Sequence, residues 1–409
     1  MKIKKLAVLM LSVLAVNSYG AGFALYEYSG RTTAMGGAVM ASDAEPAALA
    51  TNPSLITELD RVQAQASATL VRPEATTTIA GNTSSFEDET FFLPSAYATA
   101  KLSEQISFGI GAFTRYGLGG KYKNYQTWPG SNLAYEVNLE TLSITPTIAV
   151  HASDEWSLAM GLEAMTIDFT QKMYMQALSD SFKIHGTGVA WGGNYSFTYR
   201  PNWAERWSFG GMYRTKVKQE LSGYVRTDSG NDYPAPTYPL NMKNADALGY
   251  ITLPDSISFG TAFRATDNWT LEAGIVGTFW SSYDQILIEY KNEFTSPDIK
   301  NQKKYKDVIR VNFGTEYKIN QNWTVRAGYT FDQSPINDHY MDTLVPADDR
   351  HLLSTGIGYR TDTWSADLGY SHIFIKDLSG TTSAQYSNLP AKYTDGSSDV
   401  ISFTFGYKF

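Results

Sequence analysis

The chain is 409 residues long, 14% aromatic, with 33 glycines, no cysteine and a formal net charge of −8. The lack of cysteine excludes disulfides, thiol chemistry and a Cys-ligated metal, and the acidic balance argues against nucleic acid as a partner. Mean hydropathy is negative, which suits a membrane protein only where the spanning elements are strands with a single apolar face.

Residues 1–20 have the form of a secretory signal peptide. Lys2, Lys4 and Lys5 precede an apolar core from Leu6 to Val16, and Ser18-Tyr19-Gly20 supplies small residues for cleavage. That core is too short to cross a bilayer as a helix, and no later stretch is long and apolar enough, which excludes inner-membrane helices. Loss of the three lysines takes the net charge from −8 to −11.

Residues 21–60 do not read as strand. Ala34-Met35-Gly36-Gly37-Ala38 and Ala44-Glu45-Pro46-Ala47-Ala48-Leu49-Ala50 have helical potential broken by Pro46 and Pro53. Asp43 is expected to N-cap a short helix with Pro46 in its first turn. A segment of this length fits inside a barrel as a plug, or hatch.

From residue 61 onward the pattern changes to period two. Five times a short polar turn is followed by tryptophan and a hydroxyl residue: Trp156-Ser157, Trp207-Ser208, Trp269-Thr270, Trp323-Thr324 and Trp364-Ser365. After Trp323 the residues alternate between an apolar and a polar face, as a strand between lipid and a polar lumen does. An indole at the same end of strand after strand suits a membrane–water interface. The pattern predicts an all-β fold, a transmembrane antiparallel β-barrel of 14 strands near 61–71, 91–102, 105–116, 134–151, 156–172, 187–200, 206–224, 248–264, 269–290, 305–319, 323–333, 350–361, 364–376 and 398–409. Tight turns, expected on the periplasmic side, alternate with long extracellular loops. The expected organisation is thus signal peptide 1–20, partly helical plug 21–60 and barrel 61–409. The last strand, Ile401 to Phe409, alternates strictly and ends on an aromatic residue, like the assembly signal of bacterial outer-membrane barrels.

Five positions after four of the tryptophans comes a glycine: Gly161, Gly274, Gly328 and Gly369. The odd offset turns it toward the lumen, where it either makes room for the plug or relieves barrel curvature. Three positions after tryptophan stand Glu272, Arg326 and Asp367, also facing inward, and Glu316 falls opposite Arg326. Arg214, Lys216, Lys218 and Arg310 point inward by the same parity. Such cations either hold a ligand carboxylate or pair with lumenal acids and the plug.

The start Ala21-Gly22-Phe23, the Gly/Ala-rich stretch with Asp43, and Asn52-Pro53-Ser54 before the first strand resemble the FadL family of outer-membrane transporters of hydrophobic compounds. That family carries Asn-Pro-Ala at the end of its plug, and Ser54 here stands in place of the alanine. The resemblance implies plug and gating roles for Ala21, Gly22, Phe23, Asn52, Pro53 and Ser54. It also implies a monomer without cofactor, in the bacterial outer membrane among its lipids and lipopolysaccharide. The implied route is ligand capture at extracellular loops, binding in an internal pocket and lateral exit through the wall at a kinked third strand. Gly109 and Gly111 lie in that strand and are the kink candidates, twist relief being the other reading. Arg214, Arg310 and Arg326 are the candidate carboxylate contacts. Implied ligands are long-chain fatty acids, the leading expectation, or aromatic hydrocarbons.

Two classes rival passive transport, a barrel enzyme and a general porin or adhesin. A barrel lipase or protease needs convergent Ser–His or Asp–His groups, and the histidines at 151, 185, 339, 351 and 372 show no such spacing, nor one that suggests a metal. A general porin would begin its first strand near the mature start and lack the plug.

Overall fold

A computed structural model describes residues 22–233, 244–291 and 298–409. The expected signal peptide and Ala21 lie outside the described residues. No described helix is long and apolar enough to cross a membrane. The crossing is made by strands, each bonded to its neighbours in an antiparallel ladder, the arrangement that leaves no backbone group unsatisfied in lipid.

Fourteen strands close the barrel. They are β1 (Val62–Ile79), β2 (Phe91–Lys101), β3 (Ile106–Phe113, resuming as Gly117–Lys121), β4 (Glu136–His151), β5 (Trp156–Met175), β6 (Asp180–Tyr199) and β7 (Trp207–Arg214, resuming as Val217–Thr227). The others are β8 (Ala245–Leu253 and Ser256–Thr266), β9 (Trp269–Thr278 and Gln285–Tyr290), β10 (Val308–Lys318), β11 (Trp323–Asp332), β12 (Arg350–Arg360), β13 (Trp364–Ile375) and β14 (Pro390–Lys408). Closure is made by β1 against β14, from Gln63 opposite Lys408 to Ile79 opposite Ala391.

Side-chain parity follows the period-two pattern. On β14 Ile401, Phe403, Phe405 and Tyr407 are exposed outward, whereas Ser402 and Thr404 are buried. The inward hydroxyls pair with neighbours: Ser67 with Thr404 and Thr69 with Ser402, each at 2.7 Å. The five repeat tryptophans are all on the outer surface, 37–42% exposed. Strands run further outward than the alternation alone indicates. β5 and β6 continue to Met175 and from Asp180, so the long loop expected at 173–186 is mostly a projecting hairpin.

Several strands are interrupted, and each break changes what parity predicts. β7 breaks at Thr215–Lys216, which shifts inward-facing positions by one. Arg214 is buried as expected, but Lys216 and Lys218 are exposed outside, correcting their lumenal assignment. β8 breaks at Pro254–Asp255, where proline cannot donate to a ladder. β9 is interrupted by a 3-10 turn, Trp280–Ser282.

Residues 22–59 pack inside the wall, most of them buried. Helix α1 (Gly30–Ala34) is capped by Ser29, whose hydroxyl accepts from Thr32 N–H. It stops at Met35, before Gly36 and Gly37 at φ of +62° and +82°, a backbone that favours glycine. Two 3-10 turns follow, Pro46–Ala50 and Pro53–Glu58, each with proline in its first turn. Asp43 does not cap the first of these. Glu45 occupies the cap position, and the Asp43 carboxylate pairs with Lys318 at 3.0 Å.

Candidate functional site

The third strand departs from its neighbour, but not at its glycines. Ile106–Phe113 is regularly paired with β4, and with β2 up to Ala112 opposite Ala96. Gly109 and Gly111 sit within that paired stretch. At Gly109 an added methyl would meet Leu49 of the plug at 2.7 Å, so this glycine makes room for the plug. The break falls at Thr114–Tyr116, after which Gly117–Lys121 pairs with β4 alone. Phe91–Ser95 of β2 is therefore bonded to β1 on one side and has no described ladder partner on the other. The wall closes again above, where Glu87 N–H donates to Lys121 C=O at 2.7 Å. The result is a window in the backbone ladder of the barrel wall, covered by the Phe91 ring, which lies against Gly119.

The N-terminal segment lies across this break. Ala24 bridges to Tyr116, Leu25 N–H donates to Arg115 C=O at 2.8 Å and Gly117 N–H donates to Phe23 C=O at 3.1 Å. Phe23 itself is held edge-on by Trp280, Tyr283 and Tyr116, with ring centroids 4.8, 5.4 and 5.9 Å away. Tyr116 and Trp280 come from the irregular parts of β3 and β9. The strand breaks thus build an aromatic seat for the chain's own start.

Behind the window is a cavity of about 920 Å³, at the upper end of the size of small-molecule sites. Its walls are mainly apolar: Phe23, Leu25, Phe91, Leu139, Leu352 and Val400 are among them, with Val345 to Ala347 of the loop before β12. Phe92, Leu142 and Val189, all exposed on the outer surface, line its lateral side. Arg310 and Arg350 are its two basic groups. Both bond one oxygen of Asp332, Arg310 at 2.9 Å and Arg350 at 2.7 Å. Neither Nε meets an acceptor among the described residues.

The other candidate arginines are placed differently. Arg326 is paired with two carboxylates: its Nε with Glu316 at 2.6 Å and its Nη1 with Asp367 at 2.6 Å. Arg31 of the plug joins the same Glu316 oxygen at 3.1 Å. Arg214 lines a separate small cavity of about 50 Å³ with Tyr26, Tyr28 and Arg115, and donates to Ala50 C=O of the plug at 3.1 Å. These two cations hold the plug and its surroundings; Arg310 alone of the three faces the large cavity. Alternation does not mark Arg350, because its position at the first residue of β12, beyond a long loop, gives no parity to read.

The motif Asn52-Pro53-Ser54 is tied to the wall. Asn52 Nδ2 donates to Met40 C=O at 2.7 Å and to Thr198 Oγ1 at 3.0 Å. Ser54 Oγ donates to Asn52 Oδ1 and also contacts Thr198 Oγ1, both at 2.7 Å. The hydroxyl that replaces a methyl here has a defined use. Gly328 and Gly369 lie directly against the plug backbone at Met35–Gly36 and Gly30, whereas Gly161 and Gly274 face barrel atoms.

No group of three or more potential ligand side chains suited to a metal exists among the described residues. A Ser157–His151 contact of 3.2 Å lies at the periplasmic end, with the serine also bonded to Thr57 of the plug.

Comparison with known proteins agrees with this architecture. The chain is 27% identical over 403 residues to a long-chain fatty acid transport protein of Salmonella typhi, covering 89% of each. It is 27% identical over 412 residues to that of Escherichia coli, covering 89% of this chain and 90% of the other. Among solved structures it resembles a Pseudomonas aeruginosa FadL homologue with TM-score 0.82, 19% identity and coverage of 96% and 100%. It also resembles the Ralstonia pickettii toluene transporter TbuX, with TM-score 0.70, 18% identity and coverage of 96% and 99%. The family model for outer membrane protein transport proteins (OMPP1/FadL/TodX) matches residues 11–409. The chain belongs to this outer-membrane family of hydrophobic-compound transport channels, which are not enzymes.

Proposed function

We propose that the protein carries long-chain fatty acids passively across the outer membrane, binding the alkyl chain in the large cavity and releasing it sideways through the window at β3. The observation that carries this reading is the pair Arg310 and Arg350, which share one oxygen of Asp332 in the wall of a mainly apolar cavity whose lining also includes Glu27, Glu74, Glu140 and Asp168. Two guanidinium groups here share the single carboxylate of Asp332. A ligand carboxylate is the kind of group that pairs with the remaining guanidinium charge. An aromatic hydrocarbon would fill the apolar part and leave the cations as they are.

Release through the wall has a simple physical motive. An alkyl chain moving directly into the lipid leaflet never exposes its length to water. Gly22, Phe23 and Leu25 stand between the cavity and the irregular parts of β3 and β9, so their displacement widens the passage. The route requires the plug to stay in place and exclude small solutes, with its Asn52-Pro53-Ser54 anchor intact.

The test is competition for a bound hydrophobic fluorophore by palmitate, hexadecane and toluene on the purified protein. Affinity is expected to rise with alkyl length by about 0.8 kcal/mol per buried methylene. Palmitate should exceed hexadecane, and Arg310→Met with Arg350→Met should remove that advantage while hexadecane binding remains. Toluene outcompeting both acids and alkanes would favour the aromatic-hydrocarbon reading instead.

A further inference from the structure

The break in β7 turns two lysines to the lipid side of the barrel. Lys216 and Lys218 are exposed on its outer surface, and among the described residues neither ammonium has an ion pair or a hydrogen bond. A cation on the lipid face is costly at the bilayer midplane and nearly free at the interface, so height decides what these two meet. Trp207, at the turn end of the same strand, lies nine and eleven residues before them, about 30–36 Å of strand. At the tilt of barrel strands that distance matches the roughly 25 Å height of the apolar band. Lys216 and Lys218 therefore stand at the far edge of the band from the tryptophan ring. Beside them are Val189 and Trp191 of β6, 61% and 71% exposed, because Gly192 lies against Val217 and Gly188 against Glu220. Higher on the same wall, Lys172 of β5 is the cross-strand partner of Lys183 of β6, and Lys183 is the partner of Arg226 of β7. Lys172 pairs with Glu136 at 2.7 Å and Arg226 with Asp246 at 2.8 Å. Lys183 between them has no carboxylate partner among the described residues, only the Tyr224 ring centroid 5.8 Å from its Nζ.

We propose that the outer wall of β5–β7 is a docking site for one lipopolysaccharide molecule, with its lipid A phosphates on Lys216 and Lys218 and the phosphates of its core sugars at Lys183. Ammonium groups at a membrane surface attract anionic headgroups, and lysine binds phosphate as a point charge. The indole of Trp191 is amphipathic and suits the headgroup level. Below it Leu158, Met160 and Leu162 of β5 are exposed and apolar, a surface for acyl chains. Like charges directly opposite on neighbouring strands are destabilising, and an anionic sugar layer supplies the counter-charge that the row of Lys172, Lys183 and Arg226 lacks at its centre. Arg226 lies eight residues beyond Lys218, about 26 Å of strand. A ligand carrying phosphates at two heights fits that spacing, whereas a phospholipid headgroup or free phosphate reaches one tier alone. Two carboxylates stand between the tiers. Asp168 faces His185 at 3.5 Å, and Glu220, exposed on β7, makes no ion pair among the described residues. Val189 also borders the lateral side of the large cavity, so the docked glycolipid lies next to that cavity while its lysines take no part in lining it.

The full mature protein, freed of lipid in detergent, is titrated with rough lipopolysaccharide, with lipid A and with the dephosphorylated form of each, and adducts are counted by native mass spectrometry. One glycolipid per barrel should be retained, and loss of its phosphates should weaken binding. Lys216→Gln with Lys218→Gln should weaken lipid A binding by about thirtyfold, two basic contacts being removed. Arginine at both positions should restore it, and Lys123→Gln with Lys300→Gln, exposed lysines elsewhere, should leave it unchanged. Lys183→Gln should weaken binding of the rough form and leave lipid A, which has no core, as it was. Heat-modifiable electrophoretic mobility shows that each variant is folded, and Lys218→Gln alone repeats the reading if the double variant is not. Equal retention of dephosphorylated lipid A, undiminished binding in the glutamine variant, or an equal loss in the Lys123 and Lys300 control overturns the site. Displacement of lipid A by phosphatidylglycerol or inorganic phosphate at equal concentration overturns its assignment to a glycolipid. An unchanged affinity of the rough form in Lys183→Gln overturns the upper contact.

Discussion

Arg31 of the plug and Glu316 of β10 lie 3.1 Å apart in the buried lumen, and the same Glu316 oxygen receives Arg326 at 2.6 Å. One wall carboxylate therefore holds a plug cation and a wall cation together. Replacing Glu316 by Gln leaves both guanidinium groups without that charge, and breaking a buried pair from one side costs about 3–5 kcal/mol. The barrel should still assemble, because its ladder is untouched, while the plug loosens. Single-channel recording in planar bilayers should show raised ion conductance for Glu316→Gln compared with the parent protein.

Asn52 and Ser54 provide a graded test of the plug anchor. Asn52→Ala removes the donor to Met40 C=O and Thr198 and leaves buried polar groups unpaired, at about 1–3 kcal/mol. Ser54→Ala removes one hydroxyl from the same network and should cost about 1 kcal/mol. Limited proteolysis from the periplasmic face should cleave the plug fastest in Asn52→Ala, then in Ser54→Ala, then in the parent.

Glycine positions of equal sequence status should respond unequally. A side chain at Gly328 collides with the plug backbone at Met35 and Gly36, whereas a methyl at Gly274 comes no closer than 3.4 Å to Phe259 C=O. Gly328→Val should destabilise the plugged state by about 1–3 kcal/mol through overpacking. Gly274→Ala should behave as the parent in the same conductance and proteolysis measurements.

The loop before β12 carries a pH-dependent element. Burial, with the Asp348 carboxylate beside it and Asp332 further off, pushes Asp349 up to about 6 against the opposing effect of Lys376. The folded state therefore holds this proton more tightly than the unfolded chain does. The stabilisation is present at low pH and is lost as pH rises through about 6. Protection of the amides of residues 342–349, corrected for the intrinsic pH dependence of exchange, should be greater at pH 5 than at pH 7.5, and Asp349→Asn should flatten that difference.

Much of the barrel was legible because lipid and lumen impose period two on every strand. The outward tryptophans and the Glu316–Arg326 pairing follow directly from that parity and from turn positions. Parity fails where a strand is interrupted. Alternation turns Lys216 and Lys218 inward because nothing in Arg214-Thr215-Lys216-Val217 marks the break in β7. The break in β3 falls at Thr114–Tyr116 and not at the kink candidates Gly109 and Gly111 for a related reason. Its cause is the pairing of residues 23–25 with 115–117, a contact between segments far apart in sequence that no local pattern records. Parity turns Arg310 inward, but its separation from Arg326 in role depends on where the plug ends and the cavity begins.

The proposed function comes down to selective passage of an alkyl carboxylate through a plugged barrel. Its most direct test is transport into proteoliposomes reconstituted with the purified protein, comparing labelled palmitate with a sugar in the same vesicles. Saturable palmitate uptake with exclusion of the sugar is the predicted result. Free sugar entry together with palmitate uptake no faster than in protein-free vesicles would contradict the account and leave a general pore in its place.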